Sequence, residues 1–194
     1  RTTALAPTFT PEVLRIHVNP ESSPSLETAV TAPYSDTLEG DTSGWTVSTE
    51  GWWHLSSSQS HSATHSWRYG IDATGNYDDD FRNFGFITTP VITLPVSTNS
   101  YMLQFWYRYE TENYYAHWDQ RWVQLSIDGG PFENHLQLQD DLIDHWLRPV
   151  LDISEFRGST IQVRFHFETL DRAFNNYEGW YIDDVSISGI SSVE

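Results

Sequence analysis

Apolar and polar residues alternate with a period of two over most of the chain after Tyr34. The odd-numbered positions of Tyr101–Glu110 are aromatic or leucine, and Ile161–Glu168 and Val123–Ile127 alternate in the same way. Successive side chains of a β-strand point to opposite faces, so this pattern predicts half-buried strands of antiparallel sheet. The Asp-Gly-Gly sequence at 128–130 is typical of a hairpin turn.

Helical periodicity is nearly absent from the chain. Only Leu151–Gly158 could form one short helical turn, closed by Gly158. About seven or more short strands, separated by Gly, Pro, Asn and Asp, are typical of two stacked sheets. The pattern therefore predicts an all-β fold, an antiparallel sandwich of two sheets over residues 34–190.

Residues 1–33 differ from the rest because they are rich in proline, threonine and serine. Only Val13–Val18 could form a strand there. The segment is predicted to be either a flexible linker or an extended N-terminal arm that adds a strand to a sheet edge, its own or a neighbour's. A chain that begins Arg-Thr-Thr is also expected to be a processed or excised piece.

Composition narrows the possible functions. The 194 residues carry a net charge of −17, all basic residues are arginine, and there is no cysteine. Such a charge repels phosphate backbones and anionic headgroups, which argues against nucleic-acid and membrane partners and favours divalent cations. The absence of cysteine excludes disulfides and thiolate zinc sites. Nine Trp, ten Tyr and ten Phe residues are enough to build a core.

The segment Gly179–Ser188 is the most informative part of the chain for a metal site. With an uninterrupted period of two, Asp183 shares a face with Val185 and Ile187, which must point into the core, whereas Asp184 points outward. A carboxylate on a core face is costly unless a cation or several donors satisfy it. A bound metal ion is the simplest expectation, since the chain has no lysine.

Further candidate ligands lie near the start of the predicted sandwich. Glu39 and Asp41 would share a face of an extended segment. The small polar segment 60–66, which includes His61 and Ser66, could supply backbone carbonyls. Calcium is coordinated by such mixtures of carboxylate and carbonyl oxygens, so the sequence predicts a Ca²⁺ ion that ties the first and last strands to this loop.

Three sequence segments carry a resemblance to a known family, namely LEGDTSGW (38–45), SHSATHSW (60–67) and RAFNNYEGWYIDDV (172–185). With them the chain resembles bacterial MAM-like jelly-roll modules, which accompany secreted peptidases of the immune inhibitor A type, and is similar to calcium-containing carbohydrate-binding jelly rolls. The resemblance covers roughly residues 34–190 and implies an exported jelly roll with a structural calcium ion held by Glu39, Asp183 and, as a third carboxylate, Asp41.

Other patterns leave alternatives open. His61 and His65 would share a strand face and could bind zinc, although no third ligand is evident. Asp78–Asp80 could hold a second calcium ion or form a solvated loop. Several tryptophans could form a sugar-stacking platform, and two of them, Trp106 and Trp122, lie opposite the apolar set of their strands. The tryptophans considered for such a platform are Trp52, Trp53, Trp67, Trp106, Trp118 and Trp122.

Carboxylates that could hydrolyse glycosides are also present, although scattered acids are expected in an acidic chain and no catalytic motif occurs. These residues are Glu110, Glu112, Asp119 and Glu168.

The first functional hypothesis is a non-catalytic extracellular accessory or adhesion module, stabilised by calcium and belonging to a secreted protein such as a peptidase. Its partner would be a glycan or a protein at the cell surface. The second hypothesis is a carbohydrate-binding module that uses exposed tryptophan and tyrosine. The third is a structural subunit that self-associates by strand addition of the N-terminal arm into an extracellular filament.

Overall fold

The computed structural model describes residues 29–97, 100–112, 118–139 and 141–190. No helix in these ranges has the length and hydropathy needed to cross a membrane. A short 3-10 helix spans Ser154–Phe156. The strands in these ranges are β1 (Val30–Thr31), β2 (Tyr34–Asp36), β3 (Thr46–Val47), β4 (Trp53–Ser56), β5 (Ser66–Tyr69), β6 (Phe84–Thr88), β7 (Ile92–Thr93), β8 (Ser100–Glu110), β9 (Gln120–Ile127), β10 (Glu133–Gln137), β11 (Val150–Asp152), β12 (Thr160–Glu168) and β13 (Gly179–Ile190).

The strands form two sheets built on the same plan. In the first sheet, β12 is central, β9 pairs along one side of it, and β6 and β7 share the other side. The outer strands of this sheet are β10, β3 and β1, and β1 runs parallel to β7. In the second sheet, β13 is central, with β8 on one side and β5 and β2 on the other. Strands β11 and β4 form its edges.

An aromatic core fills the space between the sheets. Phe165 of β12 packs edge-on against Phe105 of β8, with ring centroids 4.9 Å apart, and against Trp180 of β13, at 6.0 Å. Offset and edge-to-face aromatic pairs of this kind add stability beyond the area that they bury. The alternation seen in the sequence therefore has a direct physical cause, since the aromatic set of each strand faces the other sheet.

The predicted fold is confirmed. Strands β8, β9, β12 and β13 coincide with the segments of clearest alternation, and the hairpin turn at 128–130 joins β9 to β10. The segment predicted as a helical turn begins as β11 and continues as the 3-10 turn. Val30–Thr31, at the end of the predicted N-terminal arm, pairs with β7, whereas Val13–Val18 lies outside the described residues.

One prediction about β13 is wrong because a bulge interrupts the strand. Asp183 pairs with Trp106 and Ser186 pairs with Gln104, so three steps of β13 oppose two steps of β8. Asp184 occupies the bulge with φ of 47°, a left-handed conformation that aspartate adopts more readily than most residues. Asp183 consequently lies on the outer face of the second sheet, beside Trp106, and not on the core face that Val185 occupies.

Gly179 provides a test of how closely β13 and β5 approach each other. A Cβ atom on Gly179 would lie 1.9 Å from the carbonyl oxygen of Tyr69, and the φ of Gly179 is 110°. Gly179→Ala should therefore lower the free energy of unfolding by more than about 3 kcal/mol in urea denaturation.

Gly75→Ala is the matched control, because Gly75 also has a positive φ, of 74°, but open space around its Cβ position. We expect it to cost only the backbone strain, about 1 to 3 kcal/mol. Equal losses in the two variants would contradict the close approach.

Candidate functional site

A buried carboxylate attaches the loop after β4 to β13. Asp183 has no exposed surface. Its Oδ2 accepts hydrogen bonds from the amides of His61 at 2.7 Å and Ser62 at 3.1 Å, and its Oδ1 accepts one from the amide of Asp184 at 2.7 Å. Burial raises the pKa of Asp183 to about 6, although these amide hydrogen bonds oppose the rise.

Glu39 holds the same loop from the other side. Its Oε1 accepts hydrogen bonds from the amides of Thr64 at 2.9 Å and His65 at 2.7 Å, and the Thr64 hydroxyl donates to Oε2 at 2.5 Å. The hydroxyl and amide of Thr64 lower the pKa of Glu39 to about 2. The loop at 61–65 is thus fastened to the segment after β2 and to the last strand.

The other predicted metal ligands have different contacts. Asp41 is exposed and accepts a hydrogen bond from the amide of Ser43 at 2.9 Å. The His61 ring stacks on Trp106 with centroids 3.8 Å apart, and its Nδ1 lies 2.6 Å from Asp184 Oδ2. Ser66 is buried and donates to the carbonyl of Gln59. In the described residues, no three His, Asp or Glu side chains converge in a metal-binding arrangement.

Two features bear on the predicted calcium site. The adjacent charge of Asp184 contributes to the raised pKa of Asp183, so a cation there would relieve repulsion. The loop, however, turns amide hydrogens toward both Asp183 and Glu39, where a calcium ion would need carbonyl oxygens. Calcium binding therefore stays a prediction, and it requires the loop to change which backbone groups face the carboxylates.

The zinc and second-calcium alternatives also stay predictions. His61 contacts Asp184, whereas His65 Nδ1 lies 3.2 Å from Glu39 Oε2, so the two rings contact different carboxylates. In the 78–80 segment, Asp79 accepts hydrogen bonds from the side chain of Asn83 and from the Trp52 indole. The contact with Asn83 is local, whereas the contact with Trp52 connects the segment to the residue before β4.

A cleft of about 760 Å³ opens where β8 ends, and exposed hydrophobic side chains line it. Trp118 is 41% exposed and Phe174 is 67% exposed, and Ile143 and Tyr177 also line the cleft. Three carboxylates share this lining, namely Glu110, Glu112 and Asp171. Two of the four carboxylates singled out in the sequence therefore come together beside an exposed tryptophan.

The backbone of Phe174 is strained. Its φ is 58°, a left-handed value that is rare for a bulky side chain and costs about 1 to 3 kcal/mol. Exposure of a large ring adds a further cost, because the ring gains nothing from burial. Strain and exposure together at one loop position are typical of a binding site.

Asp119 is buried directly before the start of β9, close to the residues that follow β8 and beside the cleft. Its Oδ2 accepts hydrogen bonds from the hydroxyl of Tyr77 and from the amide of Glu112, the latter at 2.9 Å. Burial raises the pKa of Asp119 to about 7. The neighbouring Arg121 is also buried, and its guanidinium lies 3.6 Å above the ring of Tyr109.

The remaining tryptophans divide between the core and the surface. Trp53 and Trp67 are core residues, and Trp52 is exposed. Trp106 and Trp122 are half-buried on the outer faces of the second and first sheets, as the alternation along their strands predicts. One face of Trp106 is covered by His61, and a ligand role for either residue stays a prediction.

Sequence reasoning missed Phe174, Ile143 and Asp171, which lie in irregular segments without periodicity. It also missed Phe84 and Phe86, which line a second groove on the first sheet together with Arg164. The alternation of aromatic and small residues in Phe84–Thr88 was the available signal for that groove.

No family model matches the chain. The chain is similar to bacillopeptidase F of Bacillus subtilis (strain 168), at 28% identity over 180 residues. This similarity covers 87% of the chain, which spans 11% of the length of that relative.

Two solved carbohydrate-binding structures share the fold. One is TmCBM61 in complex with β-1,4-galactotriose, with a TM-score of 0.51, 16% identity and coverage of 77% of this chain and 91% of that chain. The other is the C-terminal family 22 carbohydrate-binding module of Clostridium thermocellum Xyn10B, with a TM-score of 0.51, 14% identity and coverage of 83% and 96%. The likeness establishes the fold, a jelly-roll sandwich of the kind found in carbohydrate-binding modules.

The calcium prediction is tested by thermal melting with excess chelator and with added calcium. We expect chelator to lower the Tm and calcium to restore it, because an ion bound only by the folded state adds its binding free energy to stability. Asp183→Ala should abolish the response and cost a further ~2 kcal/mol, since two loop amides lose their acceptor. A comparison with Asp41→Ala shows whether that exposed residue is a ligand. Identical wild-type curves in chelator and calcium would contradict the site.

The pH dependence of stability tests the burial of Asp119. Its pKa rises from 3.8 to about 7 on folding. A raised pKa in the folded state contributes stability below about pH 4, which is lost as the pH rises through about 7. We expect the free energy of unfolding to fall over this interval. Asp119→Asn should reduce the fall because an amide does not ionise, while its oxygen can still accept hydrogen bonds from Tyr77 and Glu112.

Asp152→Asn is the control for this measurement, since Asp152 is exposed and hydrogen bonds from Ser154 lower its pKa. It should leave the fall between about pH 4 and pH 7 as in the wild type. An undiminished fall in Asp119→Asn would show that this carboxyl does not titrate as described.

Proposed function

We propose that this domain is a non-catalytic glycan-binding module and that the cleft at the end of β8 is its binding site. The observation that carries the proposal is the pairing of two exposed aromatic rings, Trp118 and Phe174, with three carboxylates in one cleft. The likeness of the fold to carbohydrate-binding modules supports the same class of function.

The chemistry of the cleft suits a neutral sugar. The apolar faces of Trp118 and Phe174 can stack on the C–H face of a pyranose ring. The carboxylates of Glu110, Glu112 and Asp171 can accept hydrogen bonds from sugar hydroxyls, and charge-assisted hydrogen bonds are the stronger kind. Burial and the charge of Asp171 raise the pKa of Glu112. The same carboxylates would repel a negatively charged sugar in this cleft.

The proposal treats the carboxylates as binding groups and not as an acid and base pair. Glu168, one of the four carboxylates singled out in the sequence, lies on the first sheet in an ion pair with Arg82. Asp119 is buried and accepts hydrogen bonds from the Tyr77 hydroxyl and the Glu112 amide. Two of the four are thus committed to structural contacts, which leaves Glu110 and Glu112 facing the cleft.

The setting proposed for the module is extracellular. The similarity to bacillopeptidase F supports an accessory domain of a larger secreted peptidase, in line with the resemblance to MAM-like modules. In such a protein the module would hold the parent enzyme on a glycan-rich surface. The filament hypothesis depends on the arm at Val13–Val18, outside the described residues, and stays a prediction.

Retention on insoluble neutral polysaccharides and affinity electrophoresis in soluble ones test the proposal. We expect the wild type to be retained on at least one neutral glycan and not to release reducing sugar from it. Trp118→Ala and Phe174→Ala should each weaken binding by tenfold or more, which corresponds to ~1.4 kcal/mol of lost stacking.

Trp52→Ala is the matched control, because Trp52 is an exposed tryptophan that does not line the cleft. It should bind glycans as tightly as the wild type does. All variants should melt close to the wild-type Tm, with no larger change than a surface substitution causes. The proposal would be refuted if the wild type were retained on no neutral glycan, or if Trp118→Ala and Phe174→Ala bound as tightly as the wild type.

A further inference from the structure

A second groove, of about 740 Å³, lies on the outer face of the first sheet, away from the cleft. Strand β6 contributes Phe84 and Phe86, and β12 contributes Arg164 and His166. Phe132, in the turn before β10, closes one side. These residues stand on paired strands, so the floor of the groove is a regular hydrogen-bonded surface.

Pairing between strands sets the order of side chains across the groove. Arg164 is in register with Thr88 on one side and Gln124 on the other. In the next row, His166 is in register with Phe86 and with Trp122. A cation is therefore placed beside a row of rings, which include the Trp122 singled out in the sequence.

The guanidinium of Arg164 is held between two aromatic rings. Its Cζ lies 3.8 Å from the ring centroid of Phe86 and 3.5 Å from that of Phe132. Rings on both faces of a guanidinium fix its plane and remove water from its faces, which strengthens interactions at its edge. Burial lowers the pKa of Arg164, but arginine stays charged in proteins.

No carboxylate pairs with Arg164 in the described part of the chain. Its only hydrogen bond there runs from Nε to the hydroxyl of Thr88 at 3.2 Å. By contrast, Arg68, Arg82 and Arg108 each form an ion pair with an acidic side chain. Arg164 differs from these three because aromatic rings position its guanidinium, so a ligand can supply the anion that pairs with it.

We infer that this groove binds a carboxylate-bearing sugar, with the uronate carboxylate on the terminal nitrogens of Arg164 and the sugar ring against Phe84. The fork of a guanidinium matches a carboxylate in a bidentate arrangement. Phe84 is 45% exposed and offers an apolar surface beside the cation. The acidic surface of the chain as a whole repels polyanions, so the fitting ligand is an isolated uronate in an otherwise neutral glycan.

This groove and the cleft of the proposed function select opposite ligands. The cleft has three carboxylates in its lining and suits neutral sugars. The groove has one, Glu168, which is paired with Arg82, and it also presents Arg164, which has no acidic partner in the described residues. The two sites stand on different residues, so a loss of binding at one of them is distinguishable from a loss at the other.

Calorimetric titration with a matched pair of oligosaccharides tests the inference. One carries a single glucuronate, and the other is the same oligosaccharide with that carboxyl reduced to a primary alcohol. We expect the wild type to bind the acidic form at least tenfold more tightly. Arg164→Gln should remove this preference, and Arg164→Lys should retain part of it, because lysine keeps the charge and loses the bidentate geometry.

Two controls separate the groove from the cleft and from misfolding. Trp118→Ala should leave the preference for the acidic form intact. Arg164→Lys, which keeps a cation over the rings, serves as the folding control, with the melting transition measured for each variant. Equal binding of both oligosaccharides by the wild type, or a preference that survives in Arg164→Gln, would overturn the inference.

An acidic peptide provides the last comparison. A glutamate-containing peptide that bound in an Arg164-dependent manner, while the glucuronate oligosaccharide did not bind, would also overturn the assignment to a sugar. We expect tight binding of the uronate and weak or absent binding of the peptide, because a glutamate side chain has no ring that can stack on the exposed Phe84.

Discussion

The need to satisfy one buried carboxylate organises the second sheet. Asp183 has no exposed surface, and a buried charge without partners is strongly destabilising. The amides of His61 and Ser62 satisfy it, so the loop after β4 must lie across the outer face of the sheet. That placement puts the His61 ring on Trp106 and covers this part of the sheet face. The cleft at the end of β8 and the groove on the first sheet remain open to solvent.

Charge distribution explains why these two surfaces differ. An acidic chain has few cations to place, and in its described part three arginines form ion pairs with acids, as in the contacts of Arg108 with Asp144 and Glu178. Among the described residues that line the cleft there is no arginine beside the carboxylates, so their oxygens are open to hydroxyl donors. Arg164 differs, because aromatic rings and not carboxylates contact its guanidinium. The same composition thus yields one acceptor site and one donor site.

Much of the fold could be predicted from the sequence, because alternation is a local property that each strand carries by itself. The alternation in Tyr101–Glu110 identified β8 and the side of the strand on which Trp106 lies. The position of Asp183 could not be predicted in this way. The bulge at Asp184, a left-handed residue, changes which face of the sheet the preceding side chains of β13 occupy. The cleft was also beyond reach, because its walls come from segments as distant as Trp118 and Phe174, which only the tertiary fold brings together.

The cleft depends on a close contact deep in the fold. Gly179 begins β13 with its Cα against the carbonyl of Tyr69, an approach that only glycine allows. Gly179 is also in register with Glu110 at the end of β8. The loop that carries Phe174 runs directly into this glycine, so the position of the strained ring relative to Glu110 is determined by how tightly β13 packs on β5. A small shift there would move Phe174 and Asp171 relative to Glu110, because packed interiors transmit displacements and do not absorb them.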